Sequence, residues 1–165
     1  MKRSLGRDNA RPVRKTPVHH PVHEVSGRSV IVFVTLLAQA RRPLFDNPEV
    51  HALLLSAWHA ADTWRVGRYV LMPDHIHLFC APAGDDYPPL TRWVQYWKSV
   101  ASRQWPRPDE QPVWQKSFWD TQVRSGRSYA SRLEYVRRNP VRAGLCSGPD
   151  EWPFQGEMTV LVWHD

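Results

Sequence analysis

The apolar positions of this chain change period several times, and each change predicts an element. Residues 29–38 (SVIVFVTLLA) form an unbroken run rich in β-branched side chains, the pattern of a central strand covered on both faces. After Asn47-Pro48, the residues Val50, Leu53, Leu54, Ala57 and Trp58 recur at helical spacing. Asn47 stands where a cap belongs and Pro48 at the first helical position, so a helix is expected to about Ala61. Two strand-like runs follow, Trp64 to Met72 and His75 to Ala81, and Pro73-Asp74 between them predicts an antiparallel hairpin. Leu90, Trp93, Val94, Trp97, Val100 and Ala101 make the apolar stripe of a second helix that stops before Pro106. Trp93 and Trp97 lie on that stripe and read as core rather than as base-stacking platforms. Val113 to Val123 reads as a strand or strand pair. A third helix is expected over Ser125 to Arg138, burying Tyr129, Leu133, Val136 and Ala130 and ending where Asn139-Pro140 disfavours continuation. Gly144 permits a turn, and Trp152-Pro153-Phe154 with Val160-Leu161-Val162 are expected to pack the tail.

Composition adds a division of the chain. Residues 1–25 carry Lys2, Arg3, Arg7, Arg11, Arg14 and Lys15 with three prolines and almost no apolar periodicity, so we expect a flexible basic arm over 1–25 and a single domain over 26–165. The arm is either a clamp on phosphates or a plain leader. Its histidines, His19, His20 and His23, are a weak signal for metal. No apolar run reaches the roughly 18 residues of a membrane span, and the basic start lacks the apolar core of a signal peptide, so a cytoplasmic protein is expected. Cys80 and Cys146 are too few and too far apart for a disulfide framework. The 22 Lys and Arg against 16 Asp and Glu leave a net charge of +6, which suits a polyanion without proving one.

Chemistry gathers at two places. Strand alternation puts His75 and His77 on one face, and neutral imidazole is the commonest transition-metal ligand, although a lone pair of this kind is more often structural. Asp74 falls on the opposite face and reads as a turn or hydrogen-bonding residue. Helix period makes Tyr135 and Asn139 neighbours, so a phenolic oxygen and an amide oxygen could share one site. Asn139 is equally readable as a cap before Pro140. Tyr129 is the rival nucleophile, six residues away and off the helical face of Tyr135.

Four stretches together carry a resemblance. Val70-Leu71-Met72-Pro73-Asp74-His75-Ile76-His77, then Trp114 to Asp120 (WQKSFWD), then Tyr135 to Leu145 (YVRRNPVRAGL), and finally Glu151-Trp152-Pro153-Phe154 match in order and spacing the REP-associated tyrosine transposases. These form part of the single-tyrosine branch of the HUH nucleases. The resemblance implies an α+β, ferredoxin-like HUH fold, an antiparallel sheet flanked by helices, with the histidines facing the tyrosine helix. It implies that His75, His77 and Asn139 bind Mg2+ or Mn2+. Tyr135 would attack a phosphodiester to leave a 5′-phosphotyrosyl link and a free 3′-OH, which a second 3′-OH can reverse. The implied substrate is single-stranded DNA with repetitive extragenic palindrome hairpins, met on the bacterial nucleoid by a monomer or homodimer. Arg124, Arg127, Arg137, Arg138 and Arg142 are candidates for DNA phosphates, each as readily a solvated helix face.

Two other readings compete. A histidine-triad nucleotide hydrolase needs a third alternating histidine, and position 79 is Phe. A non-catalytic protein that binds DNA hairpins would use the basic surface alone, which leaves the four site residues without a purpose.

Overall fold

The structure, a computed structural model, describes residues 15–165. Its elements run β1 (Val32–Leu37), α1 (Pro48–Ala60), β2 (Trp64–Leu71), β3 (His75–Pro82), α2 (Leu90–Arg103), β4 (Trp119–Gln122), α3 (Gly126–Arg142) and β5 (Gln155–Glu157). The strands form one sheet in the order β4-β1-β3-β2-β5, antiparallel at every pairing. Skipping from β1 over β3 to β2 through α1, and from β3 to β4 through α2, gives the ferredoxin-like βαββαβ arrangement. The expected α+β fold is the one observed, with β5 added beyond β2.

Local chemistry explains most boundaries. Asn47 caps α1 by accepting from the Val50 amide at 2.9 Å, and Pro48 fills the first turn where no amide partner is needed. The Pro73-Asp74 turn closes the β2–β3 hairpin, with the Met72 amide donating to the His75 carbonyl at 2.8 Å.

Alternation along β1 divides the molecule into two packed layers. Val32, Val34 and Leu36 are buried with Val50, Leu54, Ala57 and Trp58 of α1 and Trp93, Val94 and Trp97 of α2. Trp93 and Trp97 are core, as their stripe indicates. Phe33, Thr35 and Leu37 alternate to the other face and are only half-buried. That face meets α3, where Val70, Met72, Phe79, Tyr129, Val136 and Trp152 form a smaller core.

Several expectations need correction. The first strand is Val32–Leu37 rather than 29–38, and it is covered fully on one face only. The 113–123 stretch yields just the short β4, Trp114 adding a single bridge to Ala38. The third helix does not end before Asn139; it runs through Pro140 to Arg142. A proline in the last turn forfeits only its own amide bond, and Pro140 is buried against the core while the Ala143 amide still reaches the Asn139 carbonyl at 3.0 Å. Gly144, at φ 72°, then ends it in the left-handed region that glycine adopts freely. Ala130 is exposed, off the 129-133-136-140 stripe that α3 buries. In the tail, Trp152 is buried, and Leu161 lies so close to Gly67 that a Cβ there would come within 2.6 Å of its Cδ1. Val160 and Val162, by contrast, are exposed.

Of the basic segment, residues 1–14 lie outside the described residues. From His19 to His23 the chain lies beside β4: His19 pairs with Asp120 and stacks on Phe118, His23 and Gln122 exchange two 2.7 Å hydrogen bonds, and Val22 packs on the core. Cys80 is buried and Cys146 half-buried, both as free thiols. Among the described residues, no helix is long and apolar enough to cross a membrane.

Candidate active site

The hairpin and α3 bring the four sequence-predicted residues together. His75 and His77 both project from β3 toward α3, with ring centroids 4.7 Å apart. Tyr135 and Asn139 stand one turn apart on the helix above them. The Asn139 amide nitrogen lies 3.5 Å from His77 Nε2, and the Tyr135 ring centroid 6.1 Å from that of His77. Because α3 continues through Pro140, Asn139 is a helical residue one turn from Tyr135.

Each imidazole is held from behind. His77 Nδ1 lies 2.8 Å from Thr35 Oγ1, and its ring stacks on Phe33 at 5.3 Å. His75 Nδ1 donates to Asp74 Oδ1 at 2.7 Å, and the other Asp74 oxygen accepts from Arg41 Nε at 2.7 Å. A carboxylate can only accept, so the His75 proton sits on Nδ1. The Thr35 hydroxyl can accept from His77 Nδ1 in the same tautomer. On each ring Nδ1 is thus engaged by an oxygen, the arrangement in which outer oxygens orient metal-ligating histidines.

Electrostatics agree. His77 is the one buried polar residue among the described residues, and burial, helped by the charges of His75 and Arg142, pushes its pKa down to about 3. It is neutral at any physiological pH. For Asp74, burial works to raise the pKa, but hydrogen bonds from His75 and Arg41 outweigh it and hold the carboxyl below its ordinary value. Two imidazoles with their Nδ1 atoms engaged, plus an amide whose oxygen replaces its nitrogen on a half-turn, make a donor set that fits a divalent cation. Among the described residues no three His, Cys, Asp or Glu side chains gather to hold a metal, so any such site depends on the amide as third donor.

No family model matches the chain. It is 25% identical over 92 residues to the REP-associated tyrosine transposase of Escherichia coli K12, covering 55% of this chain and 53% of that protein. A Haemophilus influenzae protein provisionally given the same name is 30% identical over 96 residues, covering 51% of this chain and 53% of its own length. The chain thus spans about half the length of the curated relatives it matches. Among solved structures, that of the REP-associated tyrosine transposase bound to a REP hairpin superposes with a TM-score of 0.65 at 20% identity, over 81% of this chain and 80% of the other. Over about half its length this chain is similar to proteins named REP-associated tyrosine transposases. The likeness read from its motifs therefore extends to alignable sequence and to the fold.

Against that homology, the remaining sequence-predicted residues sort unevenly. Tyr129, the rival to Tyr135, is buried; its hydroxyl donates to the Leu161 carbonyl at 3.1 Å, and burial, with a lesser push from Glu157, raises its pKa to about 12. It has no access to the histidines. Tyr135 is half exposed, with the Arg142 guanidinium 4.1 Å above its ring and donating to the Tyr135 carbonyl at 2.7 Å. Arg142 is thus at the site itself. Arg124, Arg127 and Arg138 are exposed, Arg138 beside Glu134 at 3.6 Å. Arg137 is turned to Asp150 through two 3.0 Å hydrogen bonds.

Three neighbours escaped the sequence reading: Thr35, Phe33 and Arg132, whose guanidinium lies 5.5 Å over the Phe33 ring. Thr35 left a trace, as the one polar residue in the strand VFVTLL, but its pairing with His77 depends on a long-range register. Asp74 was read as pointing away, yet as the residue next to His75 its carboxylate curls back to the ring.

Proposed function

We propose that this chain cuts and rejoins single-stranded DNA at REP-type hairpins, with Tyr135 as nucleophile. The observation that carries the reading is a half-exposed tyrosine one helical turn from an amide, both set over two imidazoles whose Nδ1 atoms are already engaged. The homology to the REP-associated tyrosine transposases supports it, and the relative solved with a REP hairpin supports the choice of substrate.

The phenolic oxygen of Tyr135 forms a bond to phosphorus, the bond from phosphorus to the 3′ oxygen breaks, and the phenolic proton ends on that oxygen through solvent. The products are a 5′-phosphotyrosyl strand and a free 3′-OH. Attack by another strand's 3′-OH reverses the bonds and releases Tyr135, so no nucleotide cofactor is consumed. Mg2+ or Mn2+, held by His75, His77 and Asn139, would supply Lewis-acid charge withdrawal and a fixed phosphate orientation. Asp74 and Thr35 keep the imidazoles in the ligating tautomer. Arg142 holds its guanidinium 4.1 Å over the Tyr135 ring, where the contact fixes the ring's position. Such a reaction belongs on the bacterial chromosome.

The test is incubation of end-labelled single-stranded hairpin DNA with the protein and Mn2+ or Mg2+, resolved on a denaturing gel. A protein-linked product that chelator removes is expected. Tight hairpin binding with no linked product in either metal would instead assign the chain a purely binding role.

A further inference from the structure

The face of the sheet that carries His77 is only partly roofed by α3, and its uncovered part has an unusual floor. In one cross-strand row, Trp119 of β4 lies opposite Thr35 of β1, which lies opposite His77 of β3, so all three side chains stand on the same face. In the next row Thr121 lies opposite Phe33. Trp119 is 44% exposed, and of the nine tryptophans it is the only exposed one. Burial of an indole is strongly favourable, so a lone exposed tryptophan on a sheet face signals a use for the surface. The rim is basic. Arg132 covers Phe33 from α3, three and seven residues before Tyr135 and Asn139 and so on their side of the helix, and Arg124 is exposed in the link between β4 and α3. Asp120, the acid nearest in sequence, points to the opposite face and is paired with His19.

We infer that Trp119 is a stacking platform for an unpaired nucleobase next to the scissile phosphate, with Arg132 on the phosphate between platform and cleavage centre. The inference rests on the proposed reading of the His77–Tyr135 centre. Two strand spacings put Trp119 about 10 Å from His77 along the row, too far for the reacting nucleotide and suitable for a neighbour. The occupant is single-stranded DNA rather than duplex, because an indole stacks only on a base whose face is free. It is not an apolar protein segment, because the rim is cationic and continuous with the phosphate chemistry of the centre.

The test uses the full chain, fluorescence anisotropy with fluorescein-labelled single-stranded dT12, and the hairpin cleavage gel in parallel. Trp119→Ala should weaken dT12 binding by about tenfold or more, the scale of one lost base–aromatic stack. Trp119→Phe should return it to within about threefold of the parent, and Trp119→Leu, equally apolar but not aromatic, should stay weak. Tyr96→Ala, removing an exposed aromatic from α2 across the sheet, should change nothing. In the gel, Trp119→Ala should raise KM with kcat largely retained. Equal dT12 binding by Trp119→Ala and the parent, or rescue by Leu as complete as by Phe, overturns the inference. So does sedimentation showing that Trp119→Ala splits a dimer while dT12 affinity is unchanged, since a second copy then occupies the face. An intact DNA adduct with unchanged KM in Trp119→Ala would sink the platform and spare the nuclease reading. Trp119-dependent dT12 binding with no adduct from the parent would do the reverse.

Discussion

On the α1–α2 side of the sheet, four tryptophans interlock: Trp58 against Trp97 at 5.8 Å, Trp64 against Trp93 at 6.0 Å, and Trp93 against Trp97 at 6.1 Å. On the α3 side, the same strands offer Thr35, His75 and His77 beside half-buried Phe33, and the helix above brings a tyrosine, an amide and arginines. One layer excludes water and is shaped by volume; the other holds polar groups in fixed directions at a partly open surface. Because strand side chains alternate, successive residues of β1 serve the two layers in turn: Val34 and Leu36 for stability, Thr35 for the site. The comparison teaches that stability and chemistry are separable here by substitution at adjacent positions.

The sharpest way to break that separation is Tyr135→Phe. It should abolish the DNA adduct altogether while changing unfolding free energy by less than about 0.5 kcal/mol, because the side chain is half exposed; chemical denaturation beside the cleavage gel checks both. On the opposite face, Trp97→Ala should destabilise by about 3–5 kcal/mol through the cavity it leaves. Adduct formed per folded molecule should stay at the parent level, and a selective loss of chemistry in this variant would mean the layers are coupled. Asp74→Asn takes away the carboxylate behind His75 and should weaken activation by Mn2+ about 10- to 100-fold, with the thermal midpoint little changed; a metal titration of cleavage reads it.

The smallest effect concerns a charge on the dry side. Burial pushes Lys98 down to about 8 from its ordinary 10.5, and its Nζ donates to the Gln115 carbonyl at 2.9 Å. Below pH 8 the lysine is protonated folded or unfolded and the folded state bears the cost of a buried charge. Between 8 and 10.5 only the unfolded chain keeps the proton, so that cost fades and stability rises with pH. Urea melts from pH 8 to 10 should show the parent gaining about 1–2 kcal/mol relative to Lys98→Met. A flat difference would place Lys98 in solvent.

The elements defined by local chemistry were legible in the sequence. Asn47-Pro48 announced α1, Pro73-Asp74 the hairpin, and the His75/His77 alternation with the Tyr135/Asn139 turn announced which side chains would meet. What stayed hidden was set at long range. The end of α3 could not be read from Asn139-Pro140, because burial of Pro140 against the core decides that the helix continues. Nor could 113–123 be trimmed to β4 without knowing that its ladder with β1 is confined to Trp119–Gln122. Thr35 and Phe33 join the site through the β1–β3 register, which no local pattern encodes.

Most directly at stake is the role of Tyr135. Protein incubated with single-stranded hairpin DNA and Mn2+ can be digested with nuclease and protease and the residual nucleotide adduct located by mass spectrometry. The account predicts a 5′-phosphate linkage on the peptide that carries Tyr135, absent from Tyr135→Phe. An adduct on any other residue, Tyr129 included, or cleavage that persists in Tyr135→Phe, would contradict it.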